Sequence, residues 1–321
     1  MTNKAISEKV SFFNLDIKLA GTLYKPRNDQ PCPAVIAVHP ASEGEQTSAF
    51  FDHLESELPK HGIAVLVFDR RGSGGSEGDF ETASFEDLAD DVIAAMEYLQ
   101  SRPDIDKTKI GLHGTSQGAW IAPIAAARKL EIAFIIAVSA SGVSPTEQMN
   151  YGIAFHLEQD GFDQVIVDQV IELRDLTNEY FRGRVFREKV VSELSRFESE
   201  PWFEKGYLYS AEELPVDIAE SKWHYEMDYE PLTVWKNVQQ STLFLFAEVD
   251  EWVPIQQSIV NYKNATNHLK DVEFKQIKGV NHMMRNLNGN QKGEVSEEYL
   301  DVLISWLTSR VFRPKPSPRN T

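Results

Sequence analysis

The segment "GLHGTSQG", residues 111–118, sets Ser116 between Gly114 and Gly118 with one residue on either side. A serine hydroxyl is a poor nucleophile until a base takes its proton, so Ser116 has chemistry only if a histidine, and an acid to orient it, come within reach. That chemistry would be attack on a carbonyl, formation of an acyl-enzyme and its hydrolysis. Eight histidines are available. His39 and His113 end apolar runs, His53 and His61 fall in or beside a helical stretch, His156 and His224 lie in a long aromatic stretch, and His268 closes a helical pattern. His282, in "IKGVNHMMRN", differs: it occupies a loop between the last strand-like run and the last helical run. Asp250, in "LFLFAEVDEWVP", follows the preceding strand-like run. The other loop that could present an acid, after "AFIIAVSASG", has no carboxylate before Glu147, which leaves Asp250; Glu248 and Glu251 read as structural or solvent-facing.

These residues can meet only if the elements between them form a sheet that brings its loops to one edge. Apolar runs alternate with amphipathic stretches at a βαβ rhythm. "DIKLAGTLYKP" alternates like a half-buried strand, whereas "PAVIAVHP" and "IAVLVF" are apolar throughout, like strands covered on both faces. Phe50, Phe51, Leu54 and Leu58 share one helical face ahead of Gly62, and Ser84 is placed to cap the helix that follows it. The rhythm continues through "KIGLHG", "QGAWIAPIAAARK" and "IAFIIAVSASG", then stops. Residues 145–235 are helical, charged and aromatic, with 15 of the chain's 34 aromatic residues. It resumes with "STLFLFAEVDE", a helix over about 254–268, "DVEFKQIKG" and "EEYLDVLISWLTSRV".

The expectation is therefore a mostly parallel sheet flanked by helices and interrupted by a helical cap: core 1–144 and 236–311, cap 145–235, disordered tail 312–321. In such sheets ligand chemistry collects at the carboxyl ends of the strands. Ser116 falls where a strand passes into a helix, in a turn so tight that side chains at 114 and 118 would collide with backbone. The backbone N–H of Gln117, at the head of that helix, is positioned to receive a developing oxyanion.

Composition narrows the partners. The 321 residues carry 32 basic and 49 acidic side chains, a formal charge of −17, which repels phosphate backbones and anionic lipid and so excludes nucleic acid and membrane surface as partners. No run is long enough to span a bilayer, and the N-terminus lacks the pattern of a secretory signal, so a cytoplasmic protein is expected. The single cysteine, Cys32, rules out an internal disulfide. No cluster has metal-ligand spacing, and no metal or other cofactor is expected. "DRRGSGGSEG" lacks the lysine and spacing of a phosphate loop and reads as a turn at the edge of the site.

"VIAVHPASEG", "VLVFDRRGSGGSEG", "GLHGTSQG", "FAEVDEWVP" and "GVNHMM", with the chain order Ser116, Asp250, His282, resemble the α/β-hydrolase superfamily, and within it bacterial esterases of the dienelactone-hydrolase and serine-aminopeptidase-like branch. The resemblance implies the α/β-hydrolase fold, a Ser116–His282–Asp250 triad and a two-donor oxyanion hole. In the family the second donor follows an "HG" pair; here the pair is His39–Pro40, and position implies Ala41, with Ser42 as the alternative. It implies a small-molecule ester as substrate. Dienelactone hydrolases carry a cysteine where this chain has Ser116, so their own substrate does not transfer. Two other readings stay open: an aminopeptidase or amidase, for which Glu212 and Glu213 would be candidate amine ligands, and a non-catalytic ligand-binding module. Nothing in the pattern decides between monomer and oligomer.

Overall fold

The computed structural model describes residues 5–28, 30–42 and 44–312. The expected tail lies, from residue 313 onward, outside the described residues. In chain order the main elements are β1 (Ile6–Asn14), β2 (Ile17–Lys25), β3 (Cys32–Val38), α1 (Asp52–Glu57), β4 (Ala64–Phe68), α2 (Phe85–Ser101), β5 (Ile105–Thr115), α3 (Gly118–Arg128) and β6 (Phe134–Val138). They continue with α4 (Pro145–Gln159), α5 (Gln164–Phe181), α6 (Arg187–Leu194), α7 (Lys222–Glu226), β7 (Ser241–Ala247), α8 (Ile255–Ala265), β8 (Val272–Ile277) and α9 (Glu297–Val311).

Among the described residues the strands form one sheet in the order β1-β2-β4-β3-β5-β6-β7-β8. From β4 to β8 every pairing is parallel; β1 pairs β2, and β2 pairs β4, antiparallel. The central strands are apolar on both faces because helices cover both: β3, β4 and β6 are buried along their whole length. One core cluster lies under α2, α3 and α8, with Leu66, Leu112, Ile135 and Phe244 at its base. The other lies under α1 and α9, where Val35, Val67, Ile136 and Leu245 meet Leu54, Leu303 and Leu307. β1 buries little more than Phe12, as befits an edge strand, and this weak pattern is why it does not stand out in the sequence.

Local signals agree with these elements. Ser84 caps α2 in a reciprocal capping box with Asp87, a device worth about 1 kcal/mol. The short helix that extends α1 ends at Gly62, whose φ of 77° is the left-handed stop expected there. The segment between β6 and β7 is helical and has its own apolar cluster, in which Ile153, Val170, Phe181, Leu194 and Trp202 are buried. One feature departs from the expected boundary at 235. Trp235 is fully buried against Phe244 and Tyr262, and Tyr229 packs on Phe85 and Trp120, so the chain has rejoined the main core by about residue 229.

Candidate active site

The register brings the carboxyl ends of the strands to one edge: Val38 pairs with Gly114, Thr115 with Val138, Val138 with Leu245, and Ala247 with Ile277. The loops that begin at 39, 116, 139, 248 and 278 therefore share that edge. Ser116 leaves β5 with φ 54°, a left-handed conformation that costs a non-glycine residue on the order of 1–2 kcal/mol. It is held there by its own N–H, which donates to Val138 O at 2.9 Å. A Cβ on Gly114 would sit 2.2 Å from Gly118 O, and one on Gly118 would sit 2.2 Å from Val38 O, so the turn closes only with glycine at both places. Gln117 already has helical dihedrals and caps α3, which puts its N–H among the unpaired donors at the positive end of that helix.

His282 and Asp250 are 32 residues apart in sequence and in direct contact. His282 Nδ1 lies 2.9 Å from Asp250 Oδ1 and 2.8 Å from Oδ2, with Asp250 fully buried. Asp250 Oδ1 also accepts from the backbone N–H groups of Trp252 at 2.8 Å and Val253 at 2.9 Å. A carboxylate facing Nδ1 fixes the neutral imidazole as the Nδ1–H tautomer, leaving Nε2 free to accept a proton. His282 is further fixed through its backbone: its N–H donates to Glu251 Oε2 at 3.0 Å, and Ser139 Oγ donates to its carbonyl at 2.6 Å. Ser116 and His282 are thus tied to adjacent residues, Val138 and Ser139, at the end of β6. Among the described residues Ser116 Oγ makes no hydrogen bond to His282.

Glu251, read from sequence as structural or solvent-facing, is a direct partner of the histidine loop; Glu248 is exposed. Ala41 and Ser42 are exposed, on the loop that follows β3. Arg70 Nη1 donates to Pro40 O at 2.9 Å and to Ala41 O at 3.2 Å, while its guanidinium lies 3.4 Å from the centre of the Phe80 ring. Because C=O and N–H point in opposite directions across a trans peptide, pinning these two carbonyls turns the N–H groups of Ala41 and Ser42 away from Arg70. Burial pushes the Arg70 guanidinium down to about 10. The "DRRGSGGSEG" turn thus supplies a positioning cation for the 40–42 loop. No spacing in the sequence announces this, since the contact spans about thirty residues and depends on β3 and β4 being neighbours.

The cap meets the acid loop. Tyr151 Oη donates to Asp250 O at 3.1 Å, and the Trp252 ring packs against His156 and Tyr207 with centroids 4.8 and 6.2 Å away. Within the cap a cavity of about 470 Å³ is lined by Met149, Arg174, Asn178, Tyr209, Trp223 and Glu213 among others. Glu212 is not on its wall. Cys32 is buried in β3, and burial pushes its thiol up, away from reactivity. Among the described residues no three His, Cys, Asp or Glu side chains converge as a metal site, and no helix is long and apolar enough to cross a membrane.

Comparison with known proteins places this architecture. Human dipeptidyl peptidase 8 is 30% identical over 138 residues, which are 39% of this chain and 15% of that protein. The chain spans less than half the length of the curated relatives it matches first. Among solved structures, a Pyrococcus furiosus esterase superposes with a TM-score of 0.62 at 16% identity, covering 96% of this chain and 92% of that one. The Pyrococcus horikoshii acylaminoacyl peptidase gives 0.61 at 15% identity, covering 99% of this chain and 43% of that one. Both likenesses are of fold, and the fold is that of the α/β-hydrolases, as the five sequence segments imply. The sequence model of the X-Pro dipeptidyl-peptidase (S15) family matches residues 16–276, from β2 into β8 with the cap included, and on that match the chain belongs to the S15 family of α/β-hydrolases.

Proposed function

We propose that the chain is a serine hydrolase that cleaves carboxylic esters through an acyl-enzyme. Ser116 Oγ attacks the carbonyl carbon while His282 Nε2 takes its proton. The tetrahedral oxyanion is received by the N–H groups of Gln117 and Ala41, and collapse expels the alcohol, which leaves with the proton held by His282. Water then repeats the sequence and frees the acid. Asp250 holds the imidazole in its productive tautomer and balances the imidazolium charge. The observation that carries this reading is the two-oxygen contact of buried Asp250 with His282 Nδ1, on the same sheet edge as the strained turn at Ser116. No protein-supplied cofactor is required by this scheme.

A second reading, a dipeptidyl peptidase or amidase, is favoured by the family match and by Glu213 on the cap cavity wall. Such an enzyme must hold a cationic amine, and against it the buried polar side chains of that cavity, Arg174, Thr177 and Asn178, include no carboxylate. The experiment compares kcat/KM for a p-nitrophenyl acyl ester with that for an X-Pro p-nitroanilide, after confirming that a fluorophosphonate labels Ser116. The ester reading expects the ester to be preferred and Glu213→Gln to leave anilide turnover as poor as before. Efficient anilide hydrolysis that needs a free amine and collapses in Glu213→Gln establishes the peptidase instead.

A further inference from the structure

The cap cavity contains a buried cation that forms no salt bridge among the described residues. Arg174, on α5, is 8% exposed; its Nε donates to Asn150 Oδ1 at 3.1 Å, and its Nη1 donates to the carbonyls of Gly206 at 3.0 Å and Tyr207 at 3.1 Å. All these partners are neutral, and Nη2 donates to nothing among the described residues. Asp175, next in sequence, directs its carboxylate to Asn150 Nδ2 at 2.9 Å and not to the guanidinium. A buried charge is ordinarily paired, so an unpaired one on a cavity wall is a candidate binding group.

A second donor stands beside it. Asn178, one turn further along α5, is 2% exposed, and its Oδ1 accepts from Trp223 Nε1 at 2.9 Å. An indole nitrogen can only donate, so this bond fixes which amide atom is which. Asn178 Nδ2 is then the other atom; it is buried and has no hydrogen-bond partner among the described residues. Both Arg174 and Asn178 line the cavity, whose remaining wall includes Met149, Tyr207, Tyr209 and Trp223. Two donors, one of them charged, call for an acceptor with two oxygens; the aromatic wall calls for a hydrocarbon body attached to it.

We propose that the cap cavity is a subsite for an organic carboxylate, bound through Arg174 Nη2 and Asn178 Nδ2, so that the preferred ester carries a second, anionic carboxyl group. The substrate clause rests on the ester reading above; the binding clause does not. Tyr207 joins the cavity wall to Trp252, two residues past Asp250, which sets the subsite beside the acid loop. Glu213 is exposed at the cavity, with Oε2 accepting from Ser210 N at 3.0 Å and Oγ at 2.9 Å, bonds that hold its carboxyl below the usual range and keep it ionised. Its charge opposes an anion and would assist an amine, so it separates the two kinds of ligand.

Binding is measured first, by calorimetry on the Ser116→Ala protein, so that turnover is not needed. The probes are 4-phenylbutyrate, its neutral amide, and inorganic phosphate. The carboxylate should bind at least tenfold tighter than the amide and than phosphate, in line with the worth of a charge-assisted hydrogen bond. Asn178→Asp keeps the acceptor for Trp223, removes the donor and neutralises Arg174; it should weaken the carboxylate at least tenfold. Arg174→Lys should weaken it by a similar factor, and Glu213→Gln should strengthen it severalfold. Equal binding of acid and amide, of acid and phosphate, or an unchanged affinity in a folded Asn178→Asp protein overturns the subsite. So does weaker carboxylate binding in Glu213→Gln. The kinetic arm compares mono-p-nitrophenyl glutarate with p-nitrophenyl butyrate: the ratio of their kcat/KM values should favour the glutarate and fall at least tenfold in Asn178→Asp. If neither ester is cleaved, the ester reading fails and the calorimetry still decides the subsite.

Discussion

Asp250→Asn tests the site at its most constrained point. The wild-type carboxylate accepts from Trp252 N, Val253 N and His282 Nδ1 at once. The two backbone donors are fixed by the loop, so an asparagine here must offer them its single oxygen and turn its NH₂ toward His282. That nitrogen can only donate. An NH₂ in place of Oδ2, 2.8 Å from Nδ1, repels an Nδ1–H even though the retained oxygen lies 2.9 Å away, and so shifts His282 toward the tautomer with its proton on Nε2, which removes the base from the face where Ser116 needs it. The shape of the side chain is unchanged, so the effect falls on the tautomer. In the serine protease template the equivalent change lowers kcat by about four orders of magnitude, which corresponds to about 5.5 kcal/mol in the barrier. The assay is kcat for p-nitrophenyl butyrate with the rate of fluorophosphonate labelling, beside a thermal melt to show that the fold persists. Glu251→Gln, which keeps an acceptor for His282 N, should lose less than tenfold, and exposed Glu248→Gln should be near neutral. A loss under tenfold in Asp250→Asn, with a larger one in Glu248→Gln, refutes the assignment of the acid.

Ser116→Ala should abolish turnover and labelling while melting within a few degrees of wild type, since alanine enters the same turn; labelling that persists there removes Ser116 from the mechanism. Gly114→Ala should destabilise the protein by several kcal/mol or prevent folding, because the new methyl would lie 2.2 Å from Gly118 O; a soluble variant with a wild-type melt would contradict that packing. Arg70→Met, which frees the carbonyls of Pro40 and Ala41, should lower kcat about tenfold or more with KM little changed, as expected of a group that orients an oxyanion donor; a change in KM alone would move Arg70 to substrate binding. His53 and His113, both at Tyr299 Oη, are pushed by burial down to about 3 and about 4, so they stay neutral in the fold while the unfolded chain takes up protons near pH 6.5. Their contribution to stability is complete above pH 6.5 and is lost as pH falls toward 4, by about 1.4 kcal/mol per pH unit for each. Urea unfolding between pH 7 and 5 should show a shallower slope in His113→Gln, and an unchanged slope would exclude this origin.

The parts legible in the sequence are those written in local sterics and in burial. Runs such as 34–38 and 64–68 are apolar at every position because both faces are covered, and that pattern announces a central strand without a structure. The glycines at 114 and 118 report a close approach within five residues, and Ser84 and Gly62 report helix ends within one turn. Chain order then restricts which histidine and which acid reach the serine's edge, and Asp250 and His282 do meet.

What the sequence leaves unwritten is lateral: which strands are neighbours, and which side chain reaches across. Hydrophobic periodicity says that a residue is buried; it does not say against what. The antiparallel β1 and β2 edge, the anchoring of the Ser116 and His282 loops on the adjacent residues Val138 and Ser139, the reach of Arg70 to the 40–42 loop, and the turning of Glu251 onto His282 N–H all join residues from different elements. The same is true of the cap, where aromatic residues that read equally well as core or pocket divide between the two: Phe181 and Trp202 fill the core, while Tyr209 and Trp223 line the cavity. Arg174 and Asn178 look in sequence like ordinary polar positions of an amphipathic helix. Only the packed cap shows that they are buried and face a cavity, because desolvation and the loss of partners are properties of the surroundings that tertiary structure builds around a residue, and not of the residue or its neighbours in the chain.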